Sequence, residues 1–106
     1  MRIKISSASD VIGTIEFNRD SNSFLFNYDE NFDGFPFGEI NSDIDRKFES
    51  NTMFPFFEFE DCGSRQKIAE KHDLKNPDSN DAQWFILNLF AEKKQSLRGM
   101  RFEVIQ

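Results

Sequence analysis

The residues best suited to chemistry are one thiol and one imidazole, those of Cys62 and His72. A nucleophilic cysteine needs a base within hydrogen-bond reach and a third group that orients that base. Each residue type occurs once, so the sequence offers no second pair of this kind. A zinc site would need carboxylates to complete its four ligands. We therefore predict a turn cysteine and a helix-surface histidine, with no catalytic residue and no metal site.

A short acidic stretch matches the first half of the calcium-loop pattern, at Asp29, Asn31, Asp33 and Gly34. The twelfth position of that pattern requires a bidentate glutamate, and Ile40 stands there instead. A turn stabilised by Asp and Asn side chains is the favoured interpretation.

A second acidic group contains Glu58, Glu60 and Asp61. Paired carboxylates can perform acid–base catalysis, but charges beside a loop more often form a solvated face. The glycines are scattered and match no phosphate-binding motif, so neither nucleotide chemistry nor a cofactor is expected. The acidic face remains a candidate for binding.

Composition narrows the possible partners. The 106 residues fit one domain, 1–106, and carry a net charge of −6, which repels a nucleic-acid backbone and an anionic membrane alike. An acidic surface favours a basic protein partner.

A lone cysteine and the lack of a targeting segment indicate a cytoplasmic protein. Fourteen Phe residues predict an aromatic core.

The spacing of hydrophobic residues predicts the strands and helices that position these groups. Apolar residues alternate with polar ones in two opening strands, in a third strand after a polar turn, and in a final strand after Gly99. The order of strands, helices and a last strand predicts an α+β fold. We expect a small antiparallel sheet or partial barrel, an N-terminal hairpin plus the C-terminal strand, with two to three helices.

Helix signals lie in the second half of the chain. A short helix is expected from Thr52, a second is expected to be capped by Ser64, and a third runs from Asn80 to about Lys94. Asn80 and Gln83 fit a capping box at the start of the third helix. Residues 29–46 are predicted to form a loop, with one short strand at most.

The stretch from Phe54 to Gly63 contains more apolar groups than one short helix can bury. Either Phe54 and Phe59 pack against the aromatic loop around Phe32, or they form a patch that binds a partner. The sequence leaves both interpretations open.

Taken in order, these segments resemble a bacterial family: the N-terminal subdomain of HipA-type serine/threonine kinases and its stand-alone form in the HipS family of three-gene toxin–antitoxin systems. The similarity covers nearly the whole chain. It lies in five segments: Val11 to Ile15, Phe24 to Tyr28, Phe56 to Ala69, Asn80 to Phe90, and Gly99 to Phe102.

The resemblance implies a non-enzymatic antitoxin that binds and neutralises a separately encoded HipT-like serine/threonine kinase, together with a HipB-like helix-turn-helix DNA-binding protein. We expect a loop that blocks the kinase active site, formed by Phe59, Glu60, Asp61, Cys62, Gly63 and Ser64. The alternative is a non-inhibitory scaffold that links the kinase to the DNA-binding protein for operon repression.

Overall fold

The computed structural model describes residues 2–8, 10–32, 45–54, 57, 62–74, 76, 78–97 and 99–105, with the backbone alone at 62–65 and 97. Within these ranges, six strands and two helices follow one another along the chain. They are β1 (Arg2–Ser7), β2 (Asp10–Asn18), β3 (Ser23–Tyr28), β4 (Lys47–Ser50), α1 (Cys62–Lys71), α2 (Asn80–Glu92), β5 (Ser96–Leu97) and β6 (Met100–Ile105).

The strands form one open antiparallel sheet in the order β4-β3-β2-β1-β6-β5. The N-terminal hairpin and the C-terminal strand meet because β1 pairs with both β2 and β6, for example Ile3 with Ile15 and with Val104. This arrangement confirms the predicted α+β class. Of the two predicted forms, a small antiparallel sheet and a partial barrel, the structure has the open sheet.

The first hairpin shows how local sequence builds the sheet. Ile3 and Ile5 are fully buried on one face of β1, while Lys4 between them points to the other face. At the turn between β2 and β3, the side chain of Asn18 accepts a hydrogen bond from the backbone N–H of Asp20 at 2.9 Å. Such side-chain bonding fixes a tight turn where the backbone lacks partners.

Gly13 lies where β2 passes closest to β3. A Cβ atom at this position would lie 2.2 Å from the backbone oxygen of Asn27. The register between β1 and β2 also shifts beside it, between Ile5 and Ser6, and Ile12 is the unpaired residue of that bulge. Gly13 is needed here because any side chain would collide with the backbone of β3.

The core lies between one face of the sheet and α2. Trp84, Leu87 and Ala91 of α2 pack into the same cluster as the buried strand residues. Aromatic rings dominate this cluster, and the Phe26 ring lies 4.8 Å from that of Tyr28 and 5.3 Å from that of Phe57, centroid to centroid. The predicted aromatic core is confirmed.

The sequence missed one element, and two predicted helix starts are wrong. Lys47–Ser50 forms an edge strand that the sequence did not indicate, because Phe48 is its single apolar residue. Met53 and Phe54 are not helical, although the N–H of Phe57 donates to the carbonyl of Phe54 at 2.8 Å, as in a single tight turn. α1 begins at Cys62, so Ser64 lies inside the helix and does not cap it.

The cap of α2 also differs from the prediction. Ser79 is the N-cap, and its hydroxyl accepts a hydrogen bond from the N–H of Ala82 at 3.1 Å. The side-chain amide of Asn80 instead donates hydrogen bonds to the backbone carbonyls of Asn22 and Asn51. The predicted helix itself is confirmed, and it ends at Glu92. Neither helix in the described ranges is long and apolar enough to cross a membrane.

Candidate partner-binding surface

The predicted partner-binding loop is only partly within the described residues. Phe59, Glu60 and Asp61 lie outside them, and so do the side chains of Cys62, Gly63 and Ser64. The backbone of the last three forms the start of α1. Residues 62–64, the second half of the predicted loop, are therefore helical. The helix begins two residues before Ser64, which was expected to cap it.

Phe57 anchors the chain immediately before this segment. Its side chain is 1% exposed and its ring contacts that of Phe26 in the core. Phe54 is also buried, with its ring 6.2 Å from the rings of both Phe26 and Phe57. Phe54 therefore belongs to the core and not to an exposed patch. Residues 33–37 of the loop that it was expected to pack against lie outside the described residues. Phe59, the other residue of that prediction, lies outside the described residues.

The helix that follows is anchored as well. Ala69 of α1 is 2% exposed, and the N–H of Leu74 donates to its carbonyl at 2.8 Å as the helix ends. The ring of His72 lies 4.9 Å from that of Phe85 on α2. Residues 58–61 therefore connect a buried aromatic side chain to a helix that packs against the core helix.

The same helix separates the two candidate catalytic groups. Cys62 is the first residue of α1 and His72 directly follows its last residue. Since an α-helix rises about 1.5 Å per residue, the two Cα atoms are roughly 15 Å apart. A nucleophile and its base must lie within hydrogen-bond reach, so α1 does not bring these two residues together as a catalytic pair.

The acidic stretch at the end of β3 forms a turn. A side-chain oxygen of Asp29 accepts a hydrogen bond from the N–H of Asn31 at 3.1 Å, which confirms the turn interpretation for these two residues. Asp33 and Gly34 lie outside the described residues. Where side chains are described, no group of three or more His, Cys, Asp or Glu residues is placed to hold a metal ion.

Sequence reasoning missed Arg46, which organises this turn. Its guanidinium donates to the backbone carbonyls of Asp29 and Phe32 and lies 5.2 Å from the centre of the Tyr28 ring. An arginine can serve three partners in this way because its donors are fixed in a planar fork. Arg46 thereby fixes how the chain leaves the sheet after β3. No sequence pattern indicates this role, because two of the three partners are backbone carbonyls.

Sequence reasoning also missed a groove of about 410 Å³ beside the start of α2. An ion pair between Arg19 and Asp81, with 3.6 Å between Nε and Oδ1, lies at this groove. The groove is lined by Arg19, Leu74, Asp81, Trp84, Phe85 and Asn88. The groove thus combines aromatic side chains with an exposed ion pair.

A comparison with known proteins found no matching family model and no matching curated protein.

Proposed function

We propose that this chain is an antitoxin subunit in the cytoplasm of a bacterium. In this proposal it binds and neutralises a HipT-like serine/threonine kinase, within a complex that also contains a HipB-like DNA-binding protein. It acts as a binding protein and not as an enzyme.

The observation that carries the proposal is the placement of the segments that resemble the HipA-type subdomain. Val11 to Ile15 lie in β2, Phe24 to Tyr28 in β3, and Asn80 to Phe90 in α2. The segment from Phe56 to Ala69 ends within α1, and the segment from Gly99 to Phe102 begins at the turn before β6. Each segment therefore contributes to an element of one sheet-and-helix unit, which supports a resemblance of the whole fold rather than of isolated motifs.

The proposed inhibitory segment runs from Phe59 to Ser64. Phe57 is buried two residues before it, and its last three residues belong to the start of α1. A segment restrained in this way loses less conformational entropy on binding than a free peptide does. In our proposal, Glu60 and Asp61 interact with basic groups of the kinase that otherwise hold nucleotide phosphates.

The first experiment is co-expression with the kinase encoded beside this chain. We expect the chain to relieve growth arrest and to reduce kinase autophosphorylation. The double variant Glu60→Lys/Asp61→Lys should lose most of this effect. The matched control is Asp10→Lys/Asp20→Lys, which changes the net charge equally at two exposed positions outside residues 59–64, and it should inhibit as the unmodified chain does.

Unchanged toxicity and autophosphorylation in the presence of the chain would overturn the antitoxin role. Gel-shift measurements with the operator DNA then test the scaffold alternative. If the chain strengthens the DNA complex of the kinase and the HipB-like protein while the kinase remains fully active, it is a scaffold. If both double variants inhibit equally well, the charge interaction assigned to Glu60 and Asp61 is wrong.

A further inference from the structure

A second, smaller groove runs between the two helices. We call it the inter-helix groove, and its volume is about 160 Å³. Its apolar lining consists of Ile68, Ile86, Leu89 and Phe90. Its polar lining includes Lys71, His72 and Lys93, all three of which are exposed.

Helical spacing explains why these residues meet. Positions 68, 71 and 72 are three and four residues apart, and so are positions 86, 89, 90 and 93. Residues at such intervals lie on one face of a helix. α1 and α2 therefore present one face each to the groove, with Ile86 only 2% exposed at its base and half-buried Leu89 and Phe90 beside it.

The volume of the groove limits its occupant to about one side chain. Pockets for small-molecule ligands usually measure about 300–1,000 Å³, which is well above this value. A cavity of about 150 Å³ is known to hold a single benzene ring. One large apolar side chain of a partner, such as Phe or Leu, matches the space that the two helices leave.

The charges around the groove indicate which partner residues would flank the inserted apolar side chain. Among the described residues that line it, the ionisable ones are Lys71, His72 and Lys93, and none is acidic. Glu70 and Glu92 are exposed neighbours in sequence but are not among these lining residues. This basic rim, on a chain of net charge −6, complements carboxylates.

We propose that the inter-helix groove binds an acidic segment of a partner protein, with one Phe or Leu side chain inserted between the helices and flanking carboxylates beside Lys71 and Lys93. Nucleic acids and anionic membranes are disfavoured because their extended negative charge would also meet the acidic remainder of the chain. The site is independent of the proposed function, since it uses neither the kinase nor residues 59–64.

The test uses a synthetic peptide, Asp-Glu-Asp-Phe-Glu-Asp-Glu with blocked ends, titrated into the isotope-labelled full chain. We expect amide shifts concentrated at Ile68, Leu89 and Phe90, and weaker binding as salt is raised. A second peptide with Ser in place of Phe should bind at least about tenfold more weakly, because it lacks the apolar anchor.

Variants of the rim locate the site. Lys71→Glu and Lys93→Glu should each weaken binding by about threefold to tenfold. Lys47→Glu is the matched control, because it makes the same charge change at an exposed position on β4, and it should leave binding nearly unchanged. The neutral variants Lys71→Gln and Lys93→Gln should give intermediate losses. All titrations are run well below the melting temperature of each variant, so that a change in stability does not imitate lost binding.

Several results would overturn the proposal. These are the absence of shifts at millimolar peptide, equal binding of the Phe and Ser peptides, or equal losses for the rim variants and Lys47→Glu. Self-association of the chain that Lys71→Glu and Lys93→Glu abolish would assign the groove to a second copy instead of a partner protein.

Discussion

The side-chain amide of Asn80 donates a hydrogen bond to the backbone carbonyl of Asn51, with 2.8 Å between the two atoms. The same amide nitrogen lies 3.1 Å from the carbonyl oxygen of Asn22. One side chain at the start of α2 therefore joins the turn between β2 and β3 to the end of β4. This contact fixes where the core helix begins relative to the sheet.

Replacing Asn80 with Ala should lower the free energy of unfolding by about 1 kcal/mol, because two backbone carbonyls lose their donor. Urea denaturation monitored by the fluorescence of Trp84, the sole tryptophan, measures the change. Asn31→Ala makes the same substitution at an exposed turn position and should cost under about 0.5 kcal/mol. Equal losses for the two variants would show that the Asn80 contacts contribute nothing.

The N-cap of α2 gives a second test. Ser79→Ala removes the acceptor for the N–H of Ala82 and should cost about 1 kcal/mol of stability. Ser79→Thr keeps a hydroxyl at the cap and should retain most of that free energy. Thermal unfolding by circular dichroism compares the two variants. Identical melting temperatures for Ala and Thr at this position would contradict the assignment of Ser79 as the cap.

Gly13→Ala should be far more damaging than its size suggests. The added methyl group would lie 2.2 Å from the Asn27 backbone oxygen, so β2 and β3 must separate. We expect a loss of at least about 2 kcal/mol, measured by urea denaturation.

Gly99→Ala is the matched comparison for Gly13→Ala. A methyl group there meets open space, but the backbone has a φ of +79°, which an L-residue adopts at a cost of about 1 kcal/mol. The Gly13 variant should therefore unfold at the lower urea concentration. The reverse order would mean that the close approach between β2 and β3 is absent.

Arg46→Lys tests the organisation of the turn after β3. A lysine ammonium cannot hold both carbonyls and the Tyr28 ring in the same way, so we expect a loss of about 1–2 kcal/mol. Hydrogen exchange should also become faster at the N–H of Phe32, which donates to the carbonyl of Asp29. The neighbouring exposed variant Lys47→Arg should change neither quantity. If Arg46→Lys matches the unmodified protein in both, its contacts do not hold the turn.

Periodicity explains which parts of the fold could be predicted from sequence. β1, β2, β3, β6 and α2 each carry several apolar residues at the spacing of their element, and all five were found. β4 was missed because one half-buried Phe48 defines no period. The cap of α2 was misassigned by one residue, since Ser79 and Asn80 are both good N-cap residues and tertiary contacts to Asn22 and Asn51 decide between them.

The candidate sites were harder to predict than the fold. Cys62 and His72 are far apart because α1 lies between them. The sequence alone does not indicate this distance, because it does not show that α1 starts at Cys62. The inter-helix groove depends on how α1 and α2 pack, and Lys71 and Lys93 are far apart in sequence. No local pattern reports such a contact, because the groove exists only once the two helices lie side by side.

The position of β1 between β2 and β6 has a consequence for biosynthesis. β1 obtains its second neighbour only when β6 has been translated, since Arg2 pairs with Ile105. Contacts between such distant residues slow folding. Until then the nascent chain exposes an unpaired strand edge that carries Ile3 and Ile5, and such edges invite aggregation. Translation speed and chaperone access should therefore influence the yield of this protein more than its size suggests.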